Sequence, residues 1–374
     1  MSSKTLYLIF YGRFPCEKAA SLWAAKSCEA FGNTGIRVVL IVPKTKTKNV
    51  LDPYKYYNIK NNFSIISLSA INAFSFNINS FIFSLVSTVY LLHNVKKGDF
   101  IYSNESLSLF FLSFFFPNTF FEMHVLSKKK FFYKLLFKKV KGIISINQWK
   151  IDESVRTLNI PKEKFICEPS AADIKQFDIN ISKESARKEL NLPVDKKIIL
   201  YTGHLYGWKG VDTLSEAGQY LPSDVLIVFV GGTEIDIKKF KIQNSKFKNI
   251  LILGYRPHAE IPLWQKASDV LVLPNSAKKD ISKFYTSPMK LFEYMVSKRP
   301  IVASKIPSII EILNCNNSIL VTPDDPKALA TGIQEALNNS KLSKGLSGQA
   351  YQDVQKYSID KRAKRALDFM KSLL

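Results

Sequence analysis

At 374 residues the chain is long enough for two cores of about 150–200 residues each, and its 46% hydrophobic and 22% charged composition excludes a disordered polypeptide. Four scattered cysteines (Cys16, Cys28, Cys167, Cys315), with no Cys-x-x-Cys pair, argue against a structural zinc site and suit a reducing compartment. The 53 Lys and Arg residues against 31 Asp and Glu give a net charge of +22, a field that draws phosphate on nucleic acid, lipid or substrate.

The first apolar run, Leu6–Tyr11, is too short for a signal-peptide core and reads as a buried strand. Leu6–Phe10 and Val38–Val42 are strand-like, and the amphipathic segment Glu17–Phe31 between them ends in Gly32 and Gly35, as helices before a strand often do. Phe63–Leu68, Phe100–Tyr102, Thr119–Glu122 and Gly142–Ile146 continue the series. Two stretches look lipid-like. Ile71–Leu92 is broken by Asn72, Asn77, Asn79 and several serines, and Leu107–Pro117 falls short of the roughly 20 residues that span a bilayer. No transmembrane helix is expected.

Between Lys128 and Lys141 lie seven lysines and no acid. On a helix Lys130, Lys134, Lys138 and Lys141 form one stripe, and Phe132, Leu136 and Val140 another. Such a helix suits anionic lipid headgroups. It equally suits a helix that packs its apolar face on its own domain and leaves its lysines in water, and the two can coexist. The excess charge leans towards this half: residues 1–172 hold 23 basic and 10 acidic residues, a net +13, against +9 for the remainder.

A join is expected near Asp173–Ser185, where a polar helix, Lys183–Leu190, precedes a second alternating series. Its strands are Lys197–Tyr201, Val225–Val230, Ile250–Leu253, Val270–Leu273, Pro300–Ala303 and Ser318–Val321. Helical patterns at Val211–Tyr220, Glu260–Ala267, Pro288–Val296 and Pro326–Asn338 separate them. Strands alternating with helices make parallel sheets covered on both faces. The expected class is α/β: two Rossmann-like doubly wound domains facing across a cleft, with ligands at the carboxyl ends of strands. They are placed at residues 1–175 and 176–355, with a C-terminal helix in 356–374 packing back on the first.

Two stretches carry chemistry. Tyr201-Thr-Gly-His-Leu-Tyr-Gly-Trp-Lys-Gly210 is a glycine-bearing strand-to-helix turn whose backbone N–H groups and Lys209 can neutralise a diphosphate. The alternative is a tight turn with a solvated lysine. In Ser287-Pro-Met-Lys-Leu-Phe-Glu-Tyr-Met295, Pro288 is expected at the first helical position, and Glu293 sits on an otherwise apolar helix. A carboxylate there either grips a ligand hydroxyl or pairs with Lys290 or Lys298, since leaving it unpaired costs several kcal/mol.

The string SPMKLFEYMVSKRPIVASKIPSIIEIL (287–313), with YTGHLYGWKG (201–210), resembles the family-four retaining glycosyltransferases (glycosyl transferases group 1), which adopt the GT-B fold. The resemblance covers most of residues 197–340. It continues more weakly through Arg13-Phe-Pro, Ala30–Gly35, Phe121-Glu-Met-His124, Ile144–Asn147 and Pro169–Asp173.

It implies that Lys209 contacts a donor diphosphate and that Glu293 accepts hydrogen bonds from the donor ribose. The turn Thr286, Ser287, Pro288, Met289, Lys290 would offer backbone N–H groups to phosphate and sugar. Tyr255 and Arg256 would border the nucleobase, and His124 would sit at the reacting sugar. Three departures stand out. Tyr285 occupies a position where the family commonly has a sugar-holding glutamate. His204 lies nearest to a missing second basic residue, and Lys18 lies in a first loop that lacks the usual double glycine.

The implied activity is metal-independent transfer with retention, from a nucleotide-diphosphate sugar as donor substrate and with no cofactor. No carboxylate nucleophile stands out, so a same-face displacement is expected, in which a donor phosphate oxygen takes the acceptor proton. The basic first domain suggests a saccharide or lipid-linked acceptor in surface polysaccharide assembly, and a cytoplasmic enzyme peripheral on the inner face of the membrane. A basic nucleic-acid or anionic-lipid binder is the rival, though no helix-turn-helix, aromatic RNA-binding strand or zinc finger is present. A nucleotide-sugar epimerase of the same fold is the other, though it lacks the additional acid–base carboxylates that proton abstraction needs.

Overall fold

The computed structural model describes residues 4–44, 51–69, 76–126 and 129–374. The chain forms two compact units, Met1–Pro169 with Ile359–Leu374, and Ser170–Ser358.

The first unit is a seven-stranded parallel sheet of β1 (Thr5–Ile9), β2 (Arg37–Pro43), β3 (Ser64–Leu68), β4 (Phe100–Ser103), β5 (Thr119–Met123), β6 (Gly142–Ser145) and β7 (Phe165–Cys167). Its spatial order is β3-β2-β1-β4-β5-β6-β7. Leu6 pairs with Val38 on one side and Phe100 on the other. All five residues of β1 are buried, as a parallel strand covered on both faces requires. Helices α1 (Ala19–Asn33), α2 (Phe76–Asn94), α3 (Ser106–Leu112) and α4 (Lys130–Lys139) belong to this unit. Part of the expected lipid-like stretch, residues 71–75, lies outside the described residues, as does Lys128. Among the described residues no helix is long and apolar enough to cross a membrane.

The second unit is a six-stranded parallel sheet of β8 (Lys197–Thr202), β9 (Val225–Val230), β10 (Ile250–Gly254), β11 (Val270–Leu273), β12 (Ile301–Ser304) and β13 (Ile319–Val321), in the order β10-β9-β8-β11-β12-β13. Its helices include α5 (Val211–Ala217), α6 (Met289–Val296) and α7 (Pro326–Asn338). Alternate residues of β8 enter different cores. Ile198 and Leu200 pack with Leu291, Phe292 and Met295 of α6, while Ile199 and Tyr201 pack with Val211, Leu214 and Ile333. A fully buried aliphatic side chain of this size contributes about 1.5–3 kcal/mol.

The last helix, α8 (Ile359–Ser372), belongs to the first unit. It buries Arg362, Ala363, Ala366, Leu367 and Met370, packs on α1, and sets Phe369 and Leu373 against Gly142 of β6. The observed junctions, Pro169/Ser170 and Ser358/Ile359, fall a few residues from the expected ones. Ala172 pairs with Ser358 in a parallel bridge and its N–H donates to the Tyr357 carbonyl at 3.2 Å, which draws both segments into the second unit.

Each sheet reverses direction once, between β1 and β4 and between β8 and β11. Crevices at such points, beyond the carboxyl ends of the strands, are where doubly wound sheets bind ligands.

Candidate functional site

In the second unit the turn after β8 is fixed from three sides. The Thr202 N–H donates to the buried Tyr294 hydroxyl at 2.8 Å, and the Tyr201 hydroxyl donates to the His204 carbonyl at 2.8 Å. Gly210 has φ +72°, and a Cβ there would lie 1.8 Å from the Pro274 carbonyl oxygen, so only glycine lets this turn pass beneath the loop after β11. The Ser276 N–H completes the join by donating to the Trp208 carbonyl at 3.2 Å. Lys209, between these anchors, holds its ammonium 5.2 Å from the Trp208 ring centre and 5.6 Å from that of Tyr206. Loss of water lowers its pKa to about 8.

Helix α6 brings two further charges. Pro288 is its N-cap, with ψ 126°, and the helix starts at Met289; the expected position for Pro288 was one residue too deep. Ser287 is engaged on both sides by Ser170, whose N–H donates to the Ser287 hydroxyl at 3.0 Å and whose hydroxyl donates to the Ser287 carbonyl at 2.6 Å. Lys290 sits on the first turn with its ammonium 3.7 Å from the Tyr201 ring centre. That ammonium is buried and has no hydrogen-bond partner among the described residues. Burial first, and then the charge of Lys209, push its pKa well below the ordinary lysine range, with Glu293 pulling the other way.

Glu293 is buried and accepts a hydrogen bond from His258 Nε2 at 2.9 Å. The other ring nitrogen of His258 lies 3.3 Å from Gln176 Nε2, which serves as its donor in that tautomer. The ion-pair partners weighed from the sequence are therefore not the ones used. Lys298 pairs with Asp178 at 2.9 Å, and helical geometry points Lys290 at Tyr201.

The other residues expected to bind a donor spread around the carboxyl end of the sheet. The His204 ring stacks on Tyr206 with centroids 5.0 Å apart, its Nδ1 4.0 Å from the Asp236 carboxylate. Tyr255 follows β10 and is 44% exposed, while the Arg256 guanidinium lies 5.8 Å from the Trp264 ring centre. Tyr285 ends a single π-helical turn, Ile281–Tyr285, after which Thr286 is extended. Among the described residues no group of three or more His, Cys, Asp or Glu side chains could hold a metal ion.

In the first unit His124 follows β5 and packs edge-on to Trp23, with ring centroids 4.8 Å apart. Its Nε2 bonds the buried Glu122 carboxylate at 3.2 Å, and the Lys150 ammonium donates to its carbonyl at 3.0 Å. Arg362 of α8 reaches the same Glu122 oxygen. Burial pushes the Glu122 carboxyl up, but Arg362 and His124 outweigh it and hold the group below its ordinary value. At the β1/β4 switch point, burial raises the Glu105 carboxyl to about 7. Sequence reasoning missed His258, Gln176, Arg362 and Glu105. Only His258 carried a local signal, as the second residue after the singled-out Tyr255-Arg256 pair.

In the basic helix α4 the apolar stripe packs on its own domain, one of the two arrangements expected. Leu136 is fully buried, and Phe132 packs on Phe110 and Tyr133 within the unit's own core. Leu136 is therefore out of reach of a lipid surface and Phe132 is half-buried, because the stripe they form helps complete the domain. The outward apolar groups are Phe131 (77% exposed) and Leu135, with Phe114 and Phe115 after α3 also exposed. Lys130 and Lys138 are exposed and Lys134 is partly so. Lys141 lies beyond the helix, its ammonium 3.4 Å from the Asn118 side-chain oxygen.

Two doubly wound parallel units of this kind define the GT-B fold of nucleotide-sugar glycosyltransferases. Residues 182–353, which lie within the second unit, match the family described as glycosyl transferases group 1. An uncharacterized glycosyltransferase of Methanocaldococcus jannaschii is 24% identical over 238 residues, 61% of this chain and 59% of that protein. The chain spans between 48% and 59% of the length of the first curated relatives it matches. Among solved structures, Anabaena HepE in complex with UDP-glucose has a TM-score of 0.77 at 16% identity, covering 98% of this chain and 99% of that one. WaaG, a glycosyltransferase involved in lipopolysaccharide biosynthesis, has a TM-score of 0.73 at 14% identity, covering 98% and 99%.

Proposed function

We propose that the protein is a retaining, metal-independent glycosyltransferase that moves a sugar from a nucleotide-diphosphate donor onto an acceptor hydroxyl. The observation that carries this reading is the meeting of Lys209 and the first turn of α6 beside Gly203, with the buried Glu293 carboxylate one turn further along the helix. Lysine and free backbone N–H groups stabilise a departing diphosphate, and Glu293 takes ribose hydroxyls. The UDP-glucose bound by HepE, which shares the fold, fits the donor class.

In this reading Tyr255 and Arg256 border the base, His204 and Tyr285 lie at the phosphate and sugar end, and His124 orients the reacting sugar. The acceptor proton passes to a donor phosphate oxygen as the new bond forms on the face the diphosphate leaves. The acceptor is a saccharide, free or lipid-linked, of a surface polysaccharide. The exposed lysines and aromatics of α4 hold the enzyme to the anionic inner face of the membrane, and WaaG's part in lipopolysaccharide biosynthesis fits that setting.

A thermal-shift panel of nucleotide sugars tests the donor, because a true donor stabilises the folded protein by mass action. Release of the nucleoside diphosphate with a lengthened acceptor is the expected product pattern. An isomerised donor, or no donor-dependent shift at all, would overturn the reading.

A further inference from the structure

We propose that the Lys290 side chain is a second cation for the donor diphosphate, closing on it together with Lys209. This rests on the nucleotide-diphosphate reading of the same site and assigns a role to the side chain, beyond the backbone of its turn.

The geometry is specific. A Cβ built on Gly203 would lie 3.1 Å from Lys290 Nζ and 3.9 Å from Lys209 Nζ, so the two ammonium groups converge on the small space that this glycine leaves clear. Gly231 approaches from the neighbouring strand so closely that a Cβ there would lie 2.5 Å from the Gly203 carbonyl. The pocket wall is therefore bare backbone, which admits a tetrahedral anion where a side chain would block it.

Lys290 has no polar partner of its own in this place. Its ammonium is buried, touches the face of Tyr201, and finds no hydrogen-bond acceptor among the described residues. The nearest carboxylate on its helix, Glu293, is already bonded through Oε1 to His258. A buried cation without an acceptor is costly, and a second cation beside it raises the cost. A solvated surface would carry neither arrangement. A doubly charged ligand group removes both penalties at once, with up to three N–H donors from each lysine.

The test measures binding of UDP, GDP, ADP and inorganic pyrophosphate by calorimetry to the wild type, Lys290→Met and Lys209→Met, with UMP as the single-phosphate control. The wild type is expected to prefer one nucleoside diphosphate to its monophosphate. Lys290→Met should bind that diphosphate about 10–100-fold more weakly, the usual loss of a charged hydrogen bond, while UMP binding changes little. Unliganded Lys290→Met should also melt at or above the wild-type temperature, since a buried unpaired charge is gone.

If Lys290→Met binds the diphosphate as tightly as the wild type, the inference fails and the donor reading stands. A lower melting temperature with unchanged affinity would make Lys290 a packing residue. If the wild type binds none of these ligands, the donor reading itself fails, and the inference with it.

Discussion

Glu293 Oε1 and His258 Nε2 lie 2.9 Å apart, joining a buried helix carboxylate to a residue 35 positions earlier in the chain. This bond satisfies one carboxylate oxygen in the unliganded protein and fixes the side chain's direction. It therefore organises Glu293 ahead of the ligand, and the two residues should respond differently to substitution.

Glu293→Gln keeps an oxygen to accept from His258, so the protein should fold with near-normal stability. Transfer should fall by about 100-fold or more, since in the proposed reading a charged acceptor of the ribose hydroxyls is lost. His258→Ala should instead lower stability by about 1–3 kcal/mol, the cost of an unsatisfied buried group, and raise the donor KM more than it lowers kcat. Initial rates and urea melts separate the two. A wild-type rate in Glu293→Gln would remove the carboxylate from the site.

Lys209 makes binding and stability respond to pH in opposite directions. Its pKa of about 8 in the free protein means that a bound diphosphate, which favours the ammonium, draws in a proton above that value. Affinity for the diphosphate should therefore be highest below about pH 8 and fall by up to tenfold per unit above it. For folding, the value of about 8 lies below the unfolded value of about 10.4, so the unfolded chain binds more protons in that window. Unliganded stability should thus rise between about pH 8 and about pH 10.4. Lys209→Met should lower affinity and flatten both slopes, with the residual slope due to the neighbouring Lys290. Calorimetry and denaturant melts across pH 7–10 check both signs.

Arg362 anchors α8 to the first unit through Glu122, the Glu168 carbonyl and the Pro169 carbonyl. Arg362→Ala leaves the buried Glu122 carboxylate without its main counter-charge and should destabilise by about 3–5 kcal/mol. The neighbouring Arg365, 41% exposed by its side chain, makes a two-pronged contact with Glu168 at 2.7 Å. Its removal should cost about 1 kcal/mol or less. The Glu122 carboxyl is held below its ordinary value, so its contribution is present at neutral pH and fades as pH falls through that lowered value. Arg362→Ala should accordingly lose the acid limb of its stability curve. Equal melting of the two variants would contradict this ranking.

The proposed membrane face keeps Lys130 and Lys138 of the predicted lysine stripe, but takes Phe131 and Leu135 as its apolar part in place of Phe132 and Leu136. A variant with Phe131→Ser, Leu135→Ser, Lys130→Glu and Lys138→Glu should leave anionic vesicles. The two charge reversals alone should weaken binding by about 30-fold or more, at about 1 kcal/mol per lysine. Leu136→Ala should leave vesicle binding intact and cost about 2–5 kcal/mol of stability, because it opens a cavity in the core. Unchanged flotation of the fourfold variant would end the membrane assignment.

Much of the architecture was readable because parallel strands covered on both faces are continuous apolar runs. Val225–Val230 and Val270–Leu273 coincide with β9 and β11 as read, and the other named strands shift by no more than two residues at either end. The three-residue β7 was not read from the sequence. The stripe on α4 was correctly an apolar face, but periodicity cannot say whether the partner of such a face is lipid or the same domain. Phe110 packs on Phe132 of that stripe, and the β5 side chain Phe121 packs on Tyr133 and Phe137 of the same helix.

The sequence by itself determined two alternating β/α series and singled out the turns that carry Lys209 and Glu293, because those are local patterns of apolarity, glycine and charge. Only the tertiary structure decided who faces whom. His258 became the partner of Glu293, Arg362 came back from the end of the chain to Glu122, and Lys290 turned from a helix lysine into a buried cation beside Lys209. Each of these depends on distance through space and on the water that packing removes, and neither is written in the spacing of residues along the chain.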